Sequence, residues 1–261
     1  MKNLLIVVHP DRSDAISIGL DFAQLASENG FVPLTNRSDL LVGVKEFKSS
    51  DALDCVVVFG GDGTILRAAE IARNTEAPII GINLGKVGFL AEISKPSLKE
   101  ILEAIKFNKL IVEPRLTIAY KIIRDDKEVE SGWALNEVVV ERSNTSLLEL
   151  FVQIDNRPLS RWACDAVICS TPTGSTAYAF SAGGPVVWPE VDAMILLPLA
   201  AHALFSDPMV VSPNSVVVVD IESEKAEVSA DGIRKFKLAE GDRVVVTKDP
   251  WKVKLAHIDD S

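Results

Sequence analysis

The stretch Cys55-Val56-Val57-Val58-Phe59-Gly60-Gly61-Asp62-Gly63-Thr64 determines how the first part of this chain is expected to fold. Its first five residues are apolar and mostly β-branched, which is typical of a strand buried on both faces in a parallel sheet. The glycines that follow predict a turn that tolerates positive φ and exposes backbone N–H groups. The apolar spacing of residues 64–73 predicts a helix beginning at this turn. Because a helix N-terminus attracts anions, we expect a phosphate cradle built by Gly60, Gly61, Gly63 and Thr64.

Asp62 places a carboxylate in the middle of this cradle. A negative charge beside phosphate is unfavourable unless it has a task, and accepting a proton from an attacking hydroxyl group is one such task. The alternative interpretation is that Asp62 caps the helix N-terminus in a tight turn. The motif alone leaves both interpretations open.

Length and composition indicate a globular protein with an ample core. The chain has 261 residues, 48% hydrophobic and 25% charged, which suits one large domain or two smaller ones. Its formal net charge of -10 argues against nucleic acid or an anionic membrane as a partner. No apolar run is long enough for a signal peptide or a membrane span.

The cysteines and histidines give information on the cellular compartment of the protein and on metal binding. Cys55, Cys164 and Cys169 are odd in number and lie in apolar stretches, as in reduced cytoplasmic proteins. Their spacing matches no zinc pattern, and the three histidines are scattered along the chain. We therefore expect a cytoplasmic protein without a transition-metal site of its own.

The two halves of the chain differ in their patterns. In the first half, predicted strands (4–8, 32–34, 55–59, 78–83) alternate with predicted helices (14–29, 64–73, 97–107), which favours parallel βαβ units with ligands at the carboxyl ends of the strands. The second half has short strand candidates with little helix between them: 115–124, 133–141, 147–154, 166–170, 216–221, 226–230 and 243–247. We predict an α/β, Rossmann-like domain over 1–112 and a β-rich, sandwich-like domain over 113–245.

Three familiar motifs are excluded. Residues 81–87 imitate a P-loop but are one residue short and have Val87 where a hydroxyl should bind magnesium. Leu66 stands where a dinucleotide fingerprint needs its third glycine, which disfavours a standard Rossmann dehydrogenase. Ala177 stands where the nucleophile elbow around Ser175 needs a glycine.

Two polar segments are candidates for ligand binding. Thr171-Pro172-Thr173-Gly174-Ser175-Thr176-Ala177-Tyr178 has five hydroxyl residues that can contact a polar ligand, with Tyr178 adding a stacking face. The alternative is a Ser/Thr-rich loop that leads into a helix cap. Asn136-Glu137 interrupts an apolar strand, which indicates either a ligand contact or a sheet edge.

Together these segments resemble the NAD kinases of bacteria and eukaryotes. The resemblance covers the glycine turn, residues 83–90, Leu135-Asn136-Glu137 and residues 165–185, and the pairs Asp231-Gly232 and Gly241-Asp242 fit the family's C-terminal pattern. Order and spacing are kept over most of the chain. The glycine turn is also found in diacylglycerol and sphingosine kinases, whereas the other segments are more specific.

The resemblance implies transfer of a phosphoryl group from ATP or inorganic polyphosphate, with Mg²⁺, to the 2′-hydroxyl of the adenosine ribose of NAD. It implies that Asp62 is the general base and that Asn136 and Glu137 bind ribose hydroxyls and adenine-side groups. Other substrate contacts carried over from the family are Gly63, Leu66, Arg67 (phosphates), Phe89, Asp165 (nicotinamide riboside), Thr173, Thr176, Ala177, Tyr178, Ser181 (base pockets) and Ala200.

The family fold implies further expectations. The substrate is expected between the two domains, with residues 246–261 returning to the first. Homodimers or homotetramers are expected, with the apolar run 193–205 as the candidate contact and a core helix as its alternative. Cys164, Ala166 and Ile233 depart from the family pattern, and the small Ala163 suggests use of polyphosphate beside ATP.

Two other functions are weighed against a NAD kinase. A lipid kinase that shares the glycine turn would need an apolar tunnel or a membrane-docking surface, which the acidic charge and the hydroxyl-rich segment disfavour. A non-catalytic NAD(P) sensor would have lost the base, and Asp62 is intact.

Overall fold

The computed structural model describes residues 2–85, 90, 93–94, 97–143, 146–203 and 206–258. The strands, in chain order, are β1 (Asn3–Val8), β2 (Val32–Thr35), β3 (Lys45–Glu46), β4 (Cys55–Phe59), β5 (Ile79–Asn83), β6 (Ile93–Ser94), β7 (Leu110–Arg115), β8 (Ile118–Arg124), β9 (Lys127–Ala134), β10 (Glu137–Arg142), β11 (Leu148–Ile154), β12 (Arg157–Cys164), β13 (Ala166–Ser170), β14 (Met194–Leu199), β15 (Met209–Val211), β16 (Val217–Ile221), β17 (Ala226–Ala230), β18 (Arg234–Leu238), β19 (Arg243–Lys248) and β20 (Val253–Ile258). The helices are α1 (Ser13–Glu28), α2 (Asp62–Ala72), α3 (Leu98–Lys106) and α4 (Tyr178–Ser181), with a short 3-10 helix at Thr173–Thr176.

The chain divides into two compact units. Residues 1–114 and 253–261 form the first unit, and residues 115–252 form the second.

The first unit is an α/β layer structure around one sheet. The strand order is β3-β2-β1-β4-β5-β20-β7, with β6 also paired to β5. The pairs β1–β2, β1–β4, β4–β5 and β5–β20 are parallel, as the alternation of strands and helices predicts. α1 and α3 pack on this sheet, with Phe22 and Ile101 buried against Ile6, Val57 and Ile80. The predicted α/β fold of this half is confirmed.

The second unit is a sandwich of two antiparallel sheets. One has the order β15-β14-β13-β10-β17-β18 and the other β12-β11-β16-β19-β8-β9. Alternate residues of both sheets meet in one core, which includes Val138, Val140, Leu150, Trp162 and Val219. The predicted β-rich sandwich is confirmed.

Several predicted elements are wrong in extent or type. The predicted strand 133–141 is broken at Leu135 and Asn136, and 115–124 is divided between β7 and β8. The predicted strands also omit β12, β14, β15, β18 and β20. The core-helix alternative for 193–205 is wrong, because Met194–Leu199 is a strand between β13 and β15. Met194 to Leu197 are fully buried within this chain, whereas Ala200 and His202 of the same run are exposed, so contact of this run with another subunit stays a prediction.

Candidate active site

The glycine turn connects β4 to α2 at the carboxyl edge of the parallel sheet. Gly60 N donates to Ile82 O of β5 at 3.1 Å, and His9 N donates to Phe59 O at 3.0 Å, so the ends of three strands meet here. Gly61 is the N-cap of α2, with extended backbone angles. The N–H groups of the first helical turn are therefore directed out of the sheet edge, as an anion site requires.

The glycines of this turn supply space rather than positive φ. Gly61 has a φ of -94°, and Gly60 and Gly63 are not among the described glycines with positive φ. The expectation of positive φ is therefore wrong. A Cβ on Gly60 would overlap the Thr64 side chain, whereas a Cβ on Gly61 or Gly63 would meet no atom within 4 Å. Gly60 is needed for packing, and the other two leave open space over the backbone.

Asp62 is the first residue of α2 and does not cap it. The N-cap residue is Gly61, which has no side chain to make a capping hydrogen bond, and Asp62 is the first residue inside the helix. The half-buried Asp62 carboxylate instead accepts a hydrogen bond from Leu90 N through Oδ1, at 3.2 Å. Asp62 is therefore not the N-cap residue, and its carboxylate lies at the start of α2, where the phosphate cradle is predicted.

The other predicted residues of this region differ in exposure. Arg67 is exposed on the next turn of α2, and Leu66 is half-buried. Asn83, at the end of β5, accepts a hydrogen bond from Gly85 N at 2.9 Å. Phe89 lies outside the described residues.

Arg12 is a residue of this edge that the sequence analysis missed. It follows β1, donates from Nη2 to Leu84 O at 3.0 Å and pairs with Asp14. A Cβ on Gly85 would lie 3.1 Å from Arg12 Nη1, so the guanidinium and the loop after β5 are closely packed. A cation in the short loop between a predicted parallel strand and the helix after it is the signal that could have identified it.

In the second unit, the hydroxyl-rich segment packs on the break between β9 and β10. Thr171 N donates to Asn136 O at 2.8 Å, and Thr171 Oγ1 donates to Leu135 O at 2.6 Å. A Cβ on Gly174 would overlap the Asn136 backbone, so only glycine fits there. The segment and the Asn136-Glu137 pair therefore form one local structure.

Two of the hydroxyl groups in this segment form hydrogen bonds within the protein. Ser175 Oγ donates to Pro172 O at 2.6 Å and accepts from Val187 N at 3.0 Å, and Ser175 and Thr171 are fully buried. These two hydroxyls stabilise the segment. Of the residues expected to contact substrate, Thr173 is buried, Thr176 and Ala177 are half-buried, and Tyr178 and Ser181 are exposed.

Asn136 and Glu137 carry the clearest sign of a ligand site. Each residue is only 7% exposed. Among the described residues, Asn136 Oδ1 and Glu137 Oε2 are buried oxygens without a hydrogen-bond partner. Because an unpaired buried oxygen costs free energy, such atoms are normally paired in the functional state of a protein. Two neighbouring ones indicate a ligand that donates to both.

Burial raises the pKa values of Glu137 and of the neighbouring Asp231. Desolvation raises the pKa of Glu137 to about 8, the charge of Asp231 adds to this rise, and a hydrogen bond from the Tyr178 backbone opposes it. Burial likewise raises the pKa of Asp231, while hydrogen bonds from the amides of residues 135–137 and the charge of Arg234 oppose that rise. Glu137 is thus largely protonated at neutral pH.

Asp165 and Ala200 lie in the antiparallel sheet that contains β10. Asp165 directly precedes β13, and Ala200 directly follows β14. Asp165 pairs with Arg142 at 3.2 Å, and its N–H donates to Leu199 O at 2.9 Å. Ala200 is exposed and has a φ of +53°. These two predicted residues are therefore neighbours, and the Asp165 carboxylate is already paired with a cation.

The described part of the chain has neither a cluster of metal-binding side chains nor a membrane-spanning helix. There, no three His, Cys, Asp or Glu side chains come together as a metal site. No helix among the same residues is both long and apolar enough to cross a membrane.

Comparison with known proteins gives consistent matches. Residues 34–109 match the family model described as the ATP-NAD kinase N-terminal domain, and residues 135–258 match the ATP-NAD kinase C-terminal domain. A NAD kinase of Leifsonia xyli subsp. xyli is 43% identical, with 98% of this chain and 90% of that protein covered. A NAD kinase of Mycobacterium tuberculosis (strain CDC 1551 / Oshkosh) is 39% identical, with coverage of 99% and 92%.

Solved structures that resemble this chain are also those of a NAD kinase and a NADH kinase. The chain superposes on a NAD kinase from Archaeoglobus fulgidus in complex with ATP with a TM-score of 0.73 and 28% identity, covering 97% of this chain and 92% of that one. Yeast NADH kinase complexed with NADH gives a TM-score of 0.91 with 23% identity, covering 100% and 84%. At that identity the second likeness shows the fold alone.

Proposed function

This chain belongs to the NAD kinase family, and we propose that it phosphorylates the 2′-hydroxyl of the adenosine ribose of NAD to give NADP. The observation that carries the proposal is the pair of buried, unpartnered oxygens on Asn136 and Glu137. A ribose offers hydroxyl donors to such oxygens. The largely protonated Glu137 can also donate its own proton to a ribose oxygen.

Asp62 is proposed as the general base of the transfer. As the ribose oxygen attacks the terminal phosphorus of the donor, its proton passes to the Asp62 carboxylate, and the bond from phosphorus to the bridging oxygen breaks. The N–H groups at the start of α2 and the Arg67 guanidinium bind phosphate oxygens and stabilise their charge. The open space over Gly61 and Gly63 supports this arrangement.

We propose ATP as donor, with polyphosphate as a second one, and Mg²⁺ bound through the donor phosphates. ATP is supported by the ATP complex of the Archaeoglobus fulgidus enzyme. When bound, Mg²⁺ would neutralise part of the charge on the donor phosphates. The remaining substrate contacts stay as predicted from the family: Gly63, Leu66, Phe89, Asp165, Thr173, Thr176, Ala177, Tyr178, Ser181 and Ala200.

We also propose a cytoplasmic homodimer or homotetramer. The free, buried state of Cys55, Cys164 and Cys169 supports a reducing compartment. Exposed apolar side chains such as Phe180 and Trp188 support contact with another copy of the chain.

The test is formation of NADP from NAD by the purified chain with Mg²⁺, run in parallel with ATP and polyphosphate. We expect turnover by the wild-type chain, and a loss of about 10² to 10⁴ in kcat for Asp62→Asn, with binding of NAD retained. Asp21→Asn, an exposed change on α1 with the same loss of charge, is the control. Binding of NAD without turnover by the wild-type chain would refute the proposed reaction, and equal kcat in Asp62→Asn would refute the base.

A further inference from the structure

The Asp231 carboxylate holds the backbone beneath both ribose-binding residues. At the break between β9 and β10, three consecutive N–H groups donate to the side chain of Asp231. Asp231 Oδ2 accepts from Leu135 N at 2.9 Å, and Oδ1 accepts from Asn136 N at 2.7 Å and from Glu137 N at 3.3 Å. One side chain thereby satisfies donors that would otherwise be buried and unpaired.

Asp231 is in turn fixed by its own turn and by a cation. It lies between β17 and β18 with a φ of +52°, a conformation in which Asp is enriched, and its N–H donates to Glu137 O at 3.0 Å. Its side chain is only 1% exposed and pairs with Arg234 Nη2 at 3.1 Å. A buried carboxylate needs such a partner to remain charged.

The cation is held by an aromatic ring next to the break. The Arg234 guanidinium carbon lies 4.8 Å from the centre of the Trp133 ring, within the range of a cation–π contact. Trp133 is in β9, two residues before Leu135, and is buried. Trp133 therefore contacts Arg234, Arg234 pairs with Asp231, and Asp231 binds the backbone N–H groups that follow Trp133 in the chain.

We infer that Asp231, Arg234 and Trp133, here called the Asp231 clamp, are positioning residues for NAD binding. Asn136 Oδ1 and Glu137 Oε2 have no protein partner among the described residues. Their position therefore depends on the backbone that carries them and, for Glu137, also on the hydrogen bond from the Tyr178 backbone to its carboxyl group. A backbone fixed before the substrate arrives lowers the cost of binding. The inference rests on the proposed function.

A positioning role makes a specific kinetic prediction. The clamp belongs to the second unit and Asp62 to the first, and the contacts described for the clamp lead to the backbone of residues 135–137. Loosening the clamp should therefore raise the KM for NAD while kcat and the KM for ATP stay close to wild type. A merely structural role would lower the amount of folded protein and leave the KM for NAD unchanged.

The test uses the full chain with Arg234→Met, and with Trp133→Phe and Trp133→Leu. For Arg234→Met and Trp133→Leu we expect a rise of about tenfold in the KM for NAD, with kcat within about threefold. Trp133→Phe keeps an aromatic face and should restore most of the affinity. Lys237→Met is the matched control, because it removes an exposed cation from the same strand, β18.

Amide hydrogen exchange separates this inference from the proposed function. Exchange at Leu135, Asn136 and Glu137 in the ligand-free chain should be faster in Arg234→Met than in wild type or Lys237→Met. A wild-type chain without turnover refutes the proposed function, and unchanged exchange then also refutes the clamp. With wild-type turnover present, an unchanged KM for NAD in both Arg234→Met and Trp133→Leu refutes the inference alone.

Discussion

Glu137 is a buried carboxyl group whose ionisation opposes folding. Its pKa is about 8 in the folded chain against an ordinary 4.5, mainly because burial disfavours the charge and also because Asp231 is close. Between these two pH values the folded state binds more protons than the unfolded state. The contribution of this group to stability is therefore present at low pH and is lost as the pH rises through about 8.

Glu137→Gln should remove this pH dependence. We expect the free energy of unfolding of the ligand-free variant to fall less between about pH 5 and about pH 9 than that of wild type, by at least about 1 kcal/mol. Denaturant unfolding at several pH values measures it, with the exposed Glu240→Gln as control. Parallel curves for wild type and Glu137→Gln would show that the carboxyl is not perturbed.

At the same scale, the sequence and the structure agree on where polar residues interrupt apolar strands. The position of Asn136-Glu137 and the hydroxyl-rich segment could be identified from residue types alone. Asp231 could be read only as part of a family pattern, because its role depends on three N–H groups more than ninety residues earlier in the chain. The interaction of Arg12 with Leu84 is likewise set by strand order.

At the scale of elements, Gly60 and Gly63 at the start of α2 are glycine for different structural reasons. Gly60 is required by packing against Thr64, while Gly63 faces open space at the first turn of the helix. We expect Gly60→Ala to lower the free energy of unfolding by about 1 to 3 kcal/mol. Gly63→Ala should leave stability unchanged or raise it by up to about 1 kcal/mol, since alanine favours helix.

The variants Gly60→Ala and Gly63→Ala also separate an effect on stability from an effect on phosphate binding. The methyl group of Gly63→Ala would occupy the space over the N–H groups, so kcat/KM for the phosphoryl donor should fall despite unchanged stability. Denaturant unfolding and steady-state kinetics of both variants check this. If Gly63→Ala kept the wild-type kcat/KM for the donor, the phosphate site would have to lie elsewhere.

The strands that the sequence analysis missed have a common cause. β14 is a continuous apolar run, which has no period that separates strand from helix, and only its place between β13 and β15 identifies it. β18 carries three cations on five residues, yet it pairs with β17 along its whole length. In both cases pairing with the neighbouring strands of the sheet overrides the local sequence pattern.

At the scale of the whole molecule, the chain crosses between its units twice. β20 returns to the first sheet and lies between β5 and β7, parallel to β5. Its Val253 and Leu255 are buried. The first unit thus depends on residues that follow the entire second unit.

A chain that ends after Lys252 should therefore lose the fold of the first unit. Removing β20 separates β5 from β7 and exposes unpaired backbone in the middle of a sheet. We expect loss of the cooperative unfolding transition of that unit, or insoluble protein, in a thermal scan. A chain that ends after Ile258 is the control, and a wild-type transition in the shorter chain would contradict the role given to β20.

The sequence by itself determined the class of each half, the glycine turn with its carboxylate and the polar residues that mark the ligand site. It could do so because strand burial, helix starts and turn chemistry depend on neighbours within a few residues. Only the tertiary structure decided that Asp62 is not a cap, that Ser175 supports its loop and that Asp231 holds Asn136 and Glu137. Those roles depend on contacts between segments far apart in the chain, which local patterns do not encode.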